Sequence, residues 1–320
     1  MIELLKSIFI DPVELHGNLI VLKTSSEYEN QEQTNSIFSD KWLKHDIKSQ
    51  LDSMELFQLR WYLVLYGFND EKELKEFLQT KKYILDAGCG LGYKAAWMAL
   101  LSSESIVIGM DFSDAVLSAA EHYKGIDNLF FVKGDISQTN IKDNSIDYIS
   151  CDQVIHHTEN PAKTFEHLSN KLSVSGQIGC YVYAKKAIPR ELIDEYFRTF
   201  TLKCTKEEIW EMSEQLTKLG KTLSELNAKI DVPDIPLLNI KGGSYDVQRF
   251  IYWNFLKCFW NEKIGWNGSV STNFDWYGPS NASRYSEEEF RSWITINNLA
   301  TLYFHREEAC YSGRFLKQES

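Results

Sequence analysis

The sequence predicts an α/β protein built on a doubly wound, mostly parallel sheet. Apolar strand patterns alternate with helical patterns between Lys82 and about Lys185. Predicted strands lie near 82–87, 105–111, 128–132, 146–151 and 176–183. Predicted helices lie between them at 92–102, 113–123 and 161–172. Alternation of this kind places helices on both faces of a parallel sheet.

Two more strands are expected near the end of the chain, which brings the sheet to seven. Ser286 and Glu289 have the spacing of a capping box, so a helix should begin there and run through Trp293. Strands at about 300–305 and 310–316 follow, joined by a short charged connection. A short connection favours antiparallel pairing, so the last strand should be antiparallel at the sheet's edge.

Helical segments surround this alternating region. We divide the chain into an N-terminal helical extension (1–80), the α/β core (81–185), a helical insertion that could cover an acceptor (186–290), and the last helix and strands (291–320). Apolar spacing predicts a helix from Asp46 to Asn69 in the extension. In the insertion, Ser244 is expected to cap an aromatic helix from Tyr245 to about Trp260.

A second helix of the insertion begins at a capping box, Thr205 to Glu208. Its apolar residues follow steps of three and four: Ile209, Met212, Leu216, Leu219, Leu223, Leu226 and Ile230. This seam has two interpretations: an amphipathic helix packed on its own domain, or a coiled-coil contact in a homodimer. We favour the first, because Gly220 and the modest length weaken the seam.

Composition excludes several classes of protein. The chain has 320 residues, of which 43% are hydrophobic and 25% charged, with a net charge of -11. An acidic chain without a basic run argues against nucleic-acid binding. No apolar run reaches the roughly 20 residues of a membrane span, and the N-terminus does not resemble a secretory signal. Six scattered cysteines suggest reduced thiols, so we expect a cytoplasmic protein.

A glycine-rich turn lies between two acidic residues. The strand 83–87 contains Asp86 and runs into Gly88, Cys89, Gly90 and Gly92, and Asp111 ends the next strand about 20 residues later. Asp135 follows the third strand. Glycines let a ligand lie against the backbone, and a carboxylate after the next strand can hold two ribose hydroxyls. The pattern therefore predicts a nucleoside-binding site.

Taken together, these motifs resemble the class I S-adenosylmethionine-dependent methyltransferases. The resemblance is to the small-molecule ("type 11"-like) group with a compact D-x-G-C-G-x-G motif, and it covers Lys82 to Tyr183 plus the last strands. It implies a Rossmann-like fold and S-adenosyl-L-methionine as cofactor, with S-adenosyl-L-homocysteine as product.

The resemblance also implies roles for individual residues. Asp86, Gly88, Cys89, Gly90 and Gly92 would lie beside the methionine part of the cofactor. Asp111, with Phe112 next to it, would accept hydrogen bonds from both ribose hydroxyls, whereas Asp135 would bind the adenine amino group and Ile136 would pack on the ring. Asp152 and Gln153 would line the floor near the transferred methyl. The alternative is a structural role for these residues. The glycines would then form only a tight βα connection, and the acids would only cap helices.

His156 and His157 follow the fourth strand, beside the expected methyl group. One of them could act as the base that removes the acceptor's proton, because histidine titrates near neutral pH. Equally, both could order the loop before Pro161. No metal site is expected, since adjacent side chains on an extended segment diverge and a third ligand is not evident.

The insertion is expected to form much of the acceptor site. Our candidates are aromatic or polar residues: Tyr183, Tyr245, Arg249, Trp253, Asp275, Trp276 and Arg284. We therefore expect a methyltransferase that modifies an oxygen, nitrogen or carbon of a small molecule. The alternatives are a nicotinamide-dependent oxidoreductase, which the G-x-G-x-G spacing and Asp135 disfavour, and a non-catalytic protein that binds S-adenosylmethionine.

Overall fold

The computed structural model describes residues 1–23, 29–44 and 47–319. The chain divides into two compact units. The first, the core unit, comprises Met1–Asn35, Glu55–Ala184 and Ser283–Ser320. The second, the helical unit, comprises Ser36–Met54 and Lys185–Ala282.

The described helices and strands are numbered separately, each in chain order. The helices are α1 (Ile2–Ser7), α2 (Glu29–Lys44), α3 (Ile47–Tyr66), α4 (Glu71–Gln79), α5 (Tyr93–Leu101), α6 (Ala115–His122), α7 (Pro161–Lys171), α8 (Ile188–Thr201), α9 (Lys206–Glu225), α10 (Val247–Asn254), α11 (Gly265–Tyr277) and α12 (Glu287–Ile296). The strands are β1 (Leu19–Val21), β2 (Tyr83–Ala87), β3 (Ile106–Asp111), β4 (Leu129–Lys133), β5 (Ile146–Cys151), β6 (Leu172–Ala184), β7 (Lys229–Val232), β8 (Gly243–Asp246), β9 (Arg284–Tyr285), β10 (Leu299–Arg306) and β11 (Cys310–Lys317).

The core unit is organised around one sheet with the strand order β1-β4-β3-β2-β5-β6-β11-β10, and β9 pairs with the end of β6. The pairs among β1 to β6 are parallel, whereas β11 is antiparallel to both β6 and β10. The predicted Rossmann-like fold with an antiparallel last strand is confirmed. The prediction missed β1 and β9, which are only three and two residues long and too short to give a periodic signal.

Helices cover both faces of this sheet. Along β3, Ile106, Ile108 and Met110 pack in a cluster that includes Phe165 of α7. Val107, which points to the opposite face, packs in a second cluster with residues of α3, α4, α5 and α6. Because both faces are buried, the central strands are continuous apolar runs and do not alternate with polar residues.

Most helix ends of the core unit agree with the sequence. Asp70 accepts a hydrogen bond from the N–H of Glu73 and begins α4, and Asn160 caps α7 before Pro161. Ser286 and Glu289 form the predicted capping box of α12. The helix predicted over 46–69 corresponds to α3, which ends at Tyr66; Asp46 lies outside the described residues.

Two helix predictions in the helical unit were wrong at their ends. The helix that begins after Thr205 ends at Glu225, and Ile230 lies in β7, which pairs with β8. Tyr245 belongs to β8, so the aromatic helix is only α10. Its cap is the Asp246 side chain, which accepts from the N–H of Arg249 and starts the helix later than Ser244 would.

The buried face of α9 also differs from the predicted apolar seam. Its buried residues are Ile209, Ser213, Thr217 and Gly220. A Cβ atom on Gly220 would lie 2.2 Å from the carbonyl oxygen of Cys258, so glycine permits a close approach there. The helix thus packs within its own unit, as favoured, but through small residues. The homodimer stays a prediction.

Within the described residues, no helix combines the length and the apolar composition that a membrane crossing requires.

Candidate functional site

The glycine turn begins where β2 ends, in the core unit. Gly88, Gly90 and Gly92 have φ angles of 85°, 52° and 80°, a left-handed conformation that glycine adopts without strain. A Cβ atom on Gly88 would lie 2.3 Å from the Val154 side chain. The N–H groups of Gly88 and Cys89 both donate to the carbonyl oxygen of Met110 on β3, at 2.7 and 3.0 Å. The turn is therefore fixed against the neighbouring strand and poor in side chains, before α5 begins at Tyr93.

Asp111 joins the end of β3 to this turn. Its Oδ2 accepts from the N–H of Gly90 at 2.8 Å, and its Oδ1 accepts from the N–H and the hydroxyl of Ser113 at 2.8 and 2.6 Å. Burial raises the pKa of Asp111, and the hydrogen bonds from Ser113 and Gly90 oppose that increase. Because α6 begins at Ala115, after Asp114, Asp111 is not its N-cap residue. The structure thus brings the predicted acid and the predicted turn together.

Asp135 lies beyond the end of the adjacent strand β4. The backbone connects the two strand ends, since the N–H of Gly134 donates to the carbonyl oxygen of Asp111 at 3.0 Å. Asp135 is half-buried and its Oδ1 accepts from the N–H of Ser137 at 2.8 Å, while Ile136 is buried. Phe112 is half-buried beside Asp111. Four predicted cofactor residues therefore cluster at the carboxyl ends of β3 and β4.

Asp152 lies beyond the end of β5 and is held by a second set of contacts. It forms an ion pair with Lys94 of α5, and it accepts from the hydroxyl of Tyr66 at 2.8 Å. Gln153, whose φ is 64°, donates to Asp152 at 3.1 Å and to Gln58 at 2.8 Å. Sequence analysis missed Lys94 and Tyr66. A lysine within the apolar start of α5 indicated a buried charge that needs a partner. That partner, Asp152, is 58 residues away in sequence.

Asp86, on β2, is the most deeply buried of these acids. It is 2% exposed, and its Oδ2 has no hydrogen-bond partner among the described residues. Burial raises the pKa of Asp86 to about 7, although the positive charge of Lys94 opposes this; the charges of Asp152 and Asp111 raise it further. Three carboxyl groups and one ammonium group therefore share this edge of the sheet.

His156 and His157 form a short 3-10 turn after β5. His156 is completely buried, and its ring centroid lies 3.7 Å from that of Tyr183 on β6. The backbone is also anchored: the carbonyl oxygen of His156 accepts from the N–H of Ser283, and that of His157 accepts from the Gln31 side chain. These contacts agree with a loop-ordering role, and the role of general base stays a prediction.

The candidate acceptor residues divide between the two units. In the core unit, Tyr183 and Arg284 are register neighbours on β6 and β9. In the helical unit, Asp275 forms an ion pair with Lys41 at 2.6 Å, and the indole N–H of Trp276 donates to buried Asp194 at 2.8 Å. Both side chains therefore contribute to internal packing, and their contact with an acceptor stays a prediction.

The other three candidates of the helical unit are half-buried. The hydroxyl of Tyr245 donates to the carbonyl oxygen of Lys241 at 2.9 Å, and Arg249 lies over the ring of Tyr252. The ring of Trp253 lies 5.3 Å from the Nζ of Lys186. Their contact with an acceptor also stays a prediction.

Asp194 is the centre of a buried network that sequence analysis missed. Arg190 contacts its Oδ2 at 2.8 Å, and the hydroxyl of Tyr277 donates to its Oδ1 at 2.8 Å. Nearby Lys257 is also buried; burial lowers its pKa to about 7, although the charge of Asp275 opposes this. Buried charges of this kind need partners. Arg190 is only four residues from Asp194, but Trp276 and Tyr277 lie 82 and 83 residues away in sequence, beyond local pattern analysis.

Comparison with known proteins agrees with this geometry. Residues 78–229 match a family model described as a methyltransferase domain. A demethylmenaquinone methyltransferase of Staphylococcus aureus is 23% identical over 173 residues, which cover 53% of this chain and 68% of that protein. Residues 78–229 therefore form a methyltransferase domain.

Two further proteins are similar to this chain. A malonyl-[acyl-carrier protein] O-methyltransferase of Legionella pneumophila is 31% identical over 94 residues, which cover 29% of this chain and 33% of that protein. The solved structure of magnesium protoporphyrin IX methyltransferase from Synechocystis PCC 6803, with bound SAM, aligns with a TM-score of 0.48 and 11% identity. That alignment covers 92% of this chain and 100% of the other. The chain spans 25% to 33% of the length of the curated relatives that it matches at 30% to 31% identity.

Proposed function

We propose that the methyltransferase domain transfers the methyl group of S-adenosylmethionine to an oxygen, nitrogen or carbon of a small-molecule acceptor. The observation that carries this proposal is the hydrogen bond between Gly90 and Asp111. It joins a side-chain-poor turn to a carboxylate at the next strand end, and a nucleoside needs both: backbone to lie against and an acceptor for its ribose hydroxyls.

The residues present fit this cofactor. The Oδ2 of Asp86 is buried without a hydrogen-bond partner among the described residues, so a cationic amine or a donor nearby would stabilise it. A Cβ atom on Gly88 or Gly92 would collide with Val154 or Phe131, so the turn keeps its position only without side chains there. Asp86, Gly88, Cys89, Gly90 and Gly92 would hold the methionine part.

The adenosyl part would lie along the ends of β3 and β4. Asp111 and Phe112 would hold the ribose, while Asp135 and Ile136 would hold the adenine. Asp152 and Gln153 would lie near the methyl group, with Asp152 held in its ion pair with Lys94. These positions follow the order of the strand ends in the sheet.

S-adenosylmethionine supplies a methyl group on a sulfonium, which a nucleophile can attack by direct displacement. The chain's own contribution is to align the acceptor, to exclude water and to take up the acceptor's proton. His156 or His157 would accept that proton at a ring nitrogen. His157 is 7% exposed and His156 is fully buried, so His157 has the more direct access.

The class of acceptor is supported by the relatives, whose names identify demethylmenaquinone and malonyl-[acyl-carrier protein] as their substrates. Tyr183 and Arg284, side by side on the core unit, combine an aromatic face with a cationic donor. This pair suits a flat or anionic acceptor. For Tyr245, Arg249, Trp253, Asp275 and Trp276 of the helical unit, a contact with an acceptor stays a prediction.

Isothermal titration calorimetry tests the proposal. S-adenosylhomocysteine should bind with one-to-one stoichiometry, and NAD should not bind. The variant Asp111→Ala should weaken S-adenosylhomocysteine binding about 5- to 150-fold, the loss of one or two hydrogen bonds to a charged group. Asp127→Ala, which changes an exposed acid just before the amino end of β4, should bind as wild type does. Binding of NAD alone, or unchanged affinity in Asp111→Ala, contradicts the proposal.

A further inference from the structure

The hairpin that joins β10 to β11 carries three side chains that can bind a metal ion. His305 is in β10, Glu307 follows that strand, and Cys310 begins β11. The N–H of Glu307 donates to the carbonyl oxygen of Cys310 at 3.1 Å, and the N–H of Cys310 donates back at 3.3 Å. Glu307 and Cys310 are therefore direct cross-strand partners. His305 is two residues before Glu307, so all three side chains share one face of the hairpin.

The distances between their ligand atoms fit one ion. The Nε2 of His305 lies 3.3 Å from the Oε2 of Glu307, and the Sγ of Cys310 lies 3.6 Å from the Oε1 of Glu307. All three ligand atoms lie within 4.8 Å of one another. Bonds of about 2.0–2.3 Å in a tetrahedral arrangement separate neighbouring ligand atoms by roughly 3.3–3.8 Å. The separations of His305 and of Cys310 from the Glu307 carboxylate thus match the spacing that a bound zinc ion would impose.

The alternative is a set of simple polar contacts. The 3.6 Å between Cys310 and Glu307 suits an S–H···O hydrogen bond, but the 3.3 Å between His305 and Glu307 is long for one. Hydrogen bonds between charged nitrogen and oxygen atoms are usually about 2.7–2.9 Å. A nitrogen, an oxygen and a sulfur ligand together select zinc and similar transition ions over magnesium or calcium, which prefer oxygen alone.

Two of the three side chains are partly exposed, so an ion can reach them from solvent, and the third is buried. The side chains of His305 and Glu307 are 18% and 31% exposed, while Cys310 is fully buried. Cys310 is the register partner of Tyr183 at the carboxyl end of β6. The tip of the hairpin therefore lies at the same end of the sheet as the glycine turn. In the strand order, β10 is four strands away from β2, where the glycine turn begins.

We propose that His305, Glu307 and Cys310 bind a zinc ion at the tip of the β10–β11 hairpin, with the remaining coordination position open to water or another ligand. Binding deprotonates the Cys310 thiol and releases that proton to solvent. The site is independent of methyl transfer. The sequence predicted the two strands of this hairpin, but not that these three side chains share one of its faces.

Cobalt substitution of the full-length protein tests the site. Under reducing conditions, stoichiometric Co²⁺ should give the near-ultraviolet thiolate-to-cobalt charge-transfer band and the intense visible bands of a four-coordinate site. One equivalent of Zn²⁺ should remove both. If wild-type protein shows no charge-transfer band, the proposal is wrong.

Variants assign the ligands. Cys310→Ser should abolish the charge-transfer band, and His305→Ala and Glu307→Gln should each weaken Zn²⁺ binding by roughly tenfold or more. His305→Ala and Glu307→Gln change partly exposed side chains, so they also serve if the buried Cys310 variant folds poorly.

Two control variants should bind as tightly as wild type. Cys204→Ser removes an exposed thiol, and His16→Ala removes a histidine that pairs with an exposed Glu14 at 3.7 Å. Zn²⁺ binding that survives the hairpin variants, or that is lost in a control, overturns the assignment.

Discussion

Lys94 on the first turn of α5 forms an ion pair with Asp152, which follows β5, and the two residues are only 8% and 5% exposed. Burial lowers the pKa of Lys94, but the charge of Asp152 and the hydrogen bond to it, together with the charges of Tyr93 and Asp86, outweigh burial, and the pKa lies above its usual value. The hydroxyl of Tyr66 donates to the other oxygen of Asp152. The pair therefore connects the start of α5, just after the glycine turn, to the end of the neighbouring strand.

Replacing Lys94 by methionine should destabilise the fold by about 3–5 kcal/mol, because it leaves a buried carboxylate without its counter-charge. Urea unfolding at pH 7 measures this change. The double variant Lys94→Met with Asp152→Asn should recover part of the loss, since the charge is then gone. As a control, Lys72→Met removes an exposed pair with Glu76 and should change stability by less than about 0.5 kcal/mol. Equal effects of Lys94→Met and Lys72→Met would contradict the buried pair.

Asp86 should make the stability of the core unit depend on pH. Its pKa is about 7 in the folded state, and an unfolded aspartate has a pKa of about 3.9. The folded state therefore holds the proton more tightly, and the resulting stabilisation is complete below about pH 4 and lost as pH rises to about 7.

The side chain of Asp86→Asn does not titrate. The difference in stability between wild type and this variant therefore reports the ionisation of Asp86. The unfolding free energy of wild type relative to Asp86→Asn should fall by up to about 4 kcal/mol between pH 4 and pH 7 and stay constant above. Urea unfolding at a series of pH values measures the difference. A difference that is flat across this range would show that Asp86 is ionised when folded.

Local sequence pattern identified the residues whose role depends only on one strand and the turn that follows it. Asp86, Gly90 and Asp111 are examples: the glycines require their backbone angles and the acid ends a strand. Lys94 was missed because its partner Asp152 is 58 residues away. The end of α9 was misplaced because Ile230 continues the apolar steps of the helix while pairing as a strand with Tyr245. Long-range pairing decided both cases, and one sequence does not record it.

The two histidines should be separable by activity and cofactor binding. The acceptor is first chosen by screening small molecules for release of S-adenosylhomocysteine. Of His156→Asn and His157→Asn, one should slow turnover about 100-fold or more while S-adenosylhomocysteine affinity is unchanged, as expected for loss of a general base. If both variants keep full activity, neither histidine is a base. Loss of cofactor affinity in step with activity would instead indicate that the turn only orders the loop.

Gly220→Ala tests the packing of α9 in the helical unit, and the sign of the effect is diagnostic. In an exposed helix this change stabilises by up to about 1 kcal/mol, because alanine has the higher helix propensity. Here the added Cβ would lie 2.2 Å from the carbonyl oxygen of Cys258, so the backbone must move and we expect a loss of about 1–3 kcal/mol. Gly125→Ala is the matched control, because no atom lies within 4 Å of its added Cβ. Chemical denaturation of both variants gives the comparison, and a Gly220→Ala protein as stable as wild type would mean that α9 does not approach Cys258 this closely.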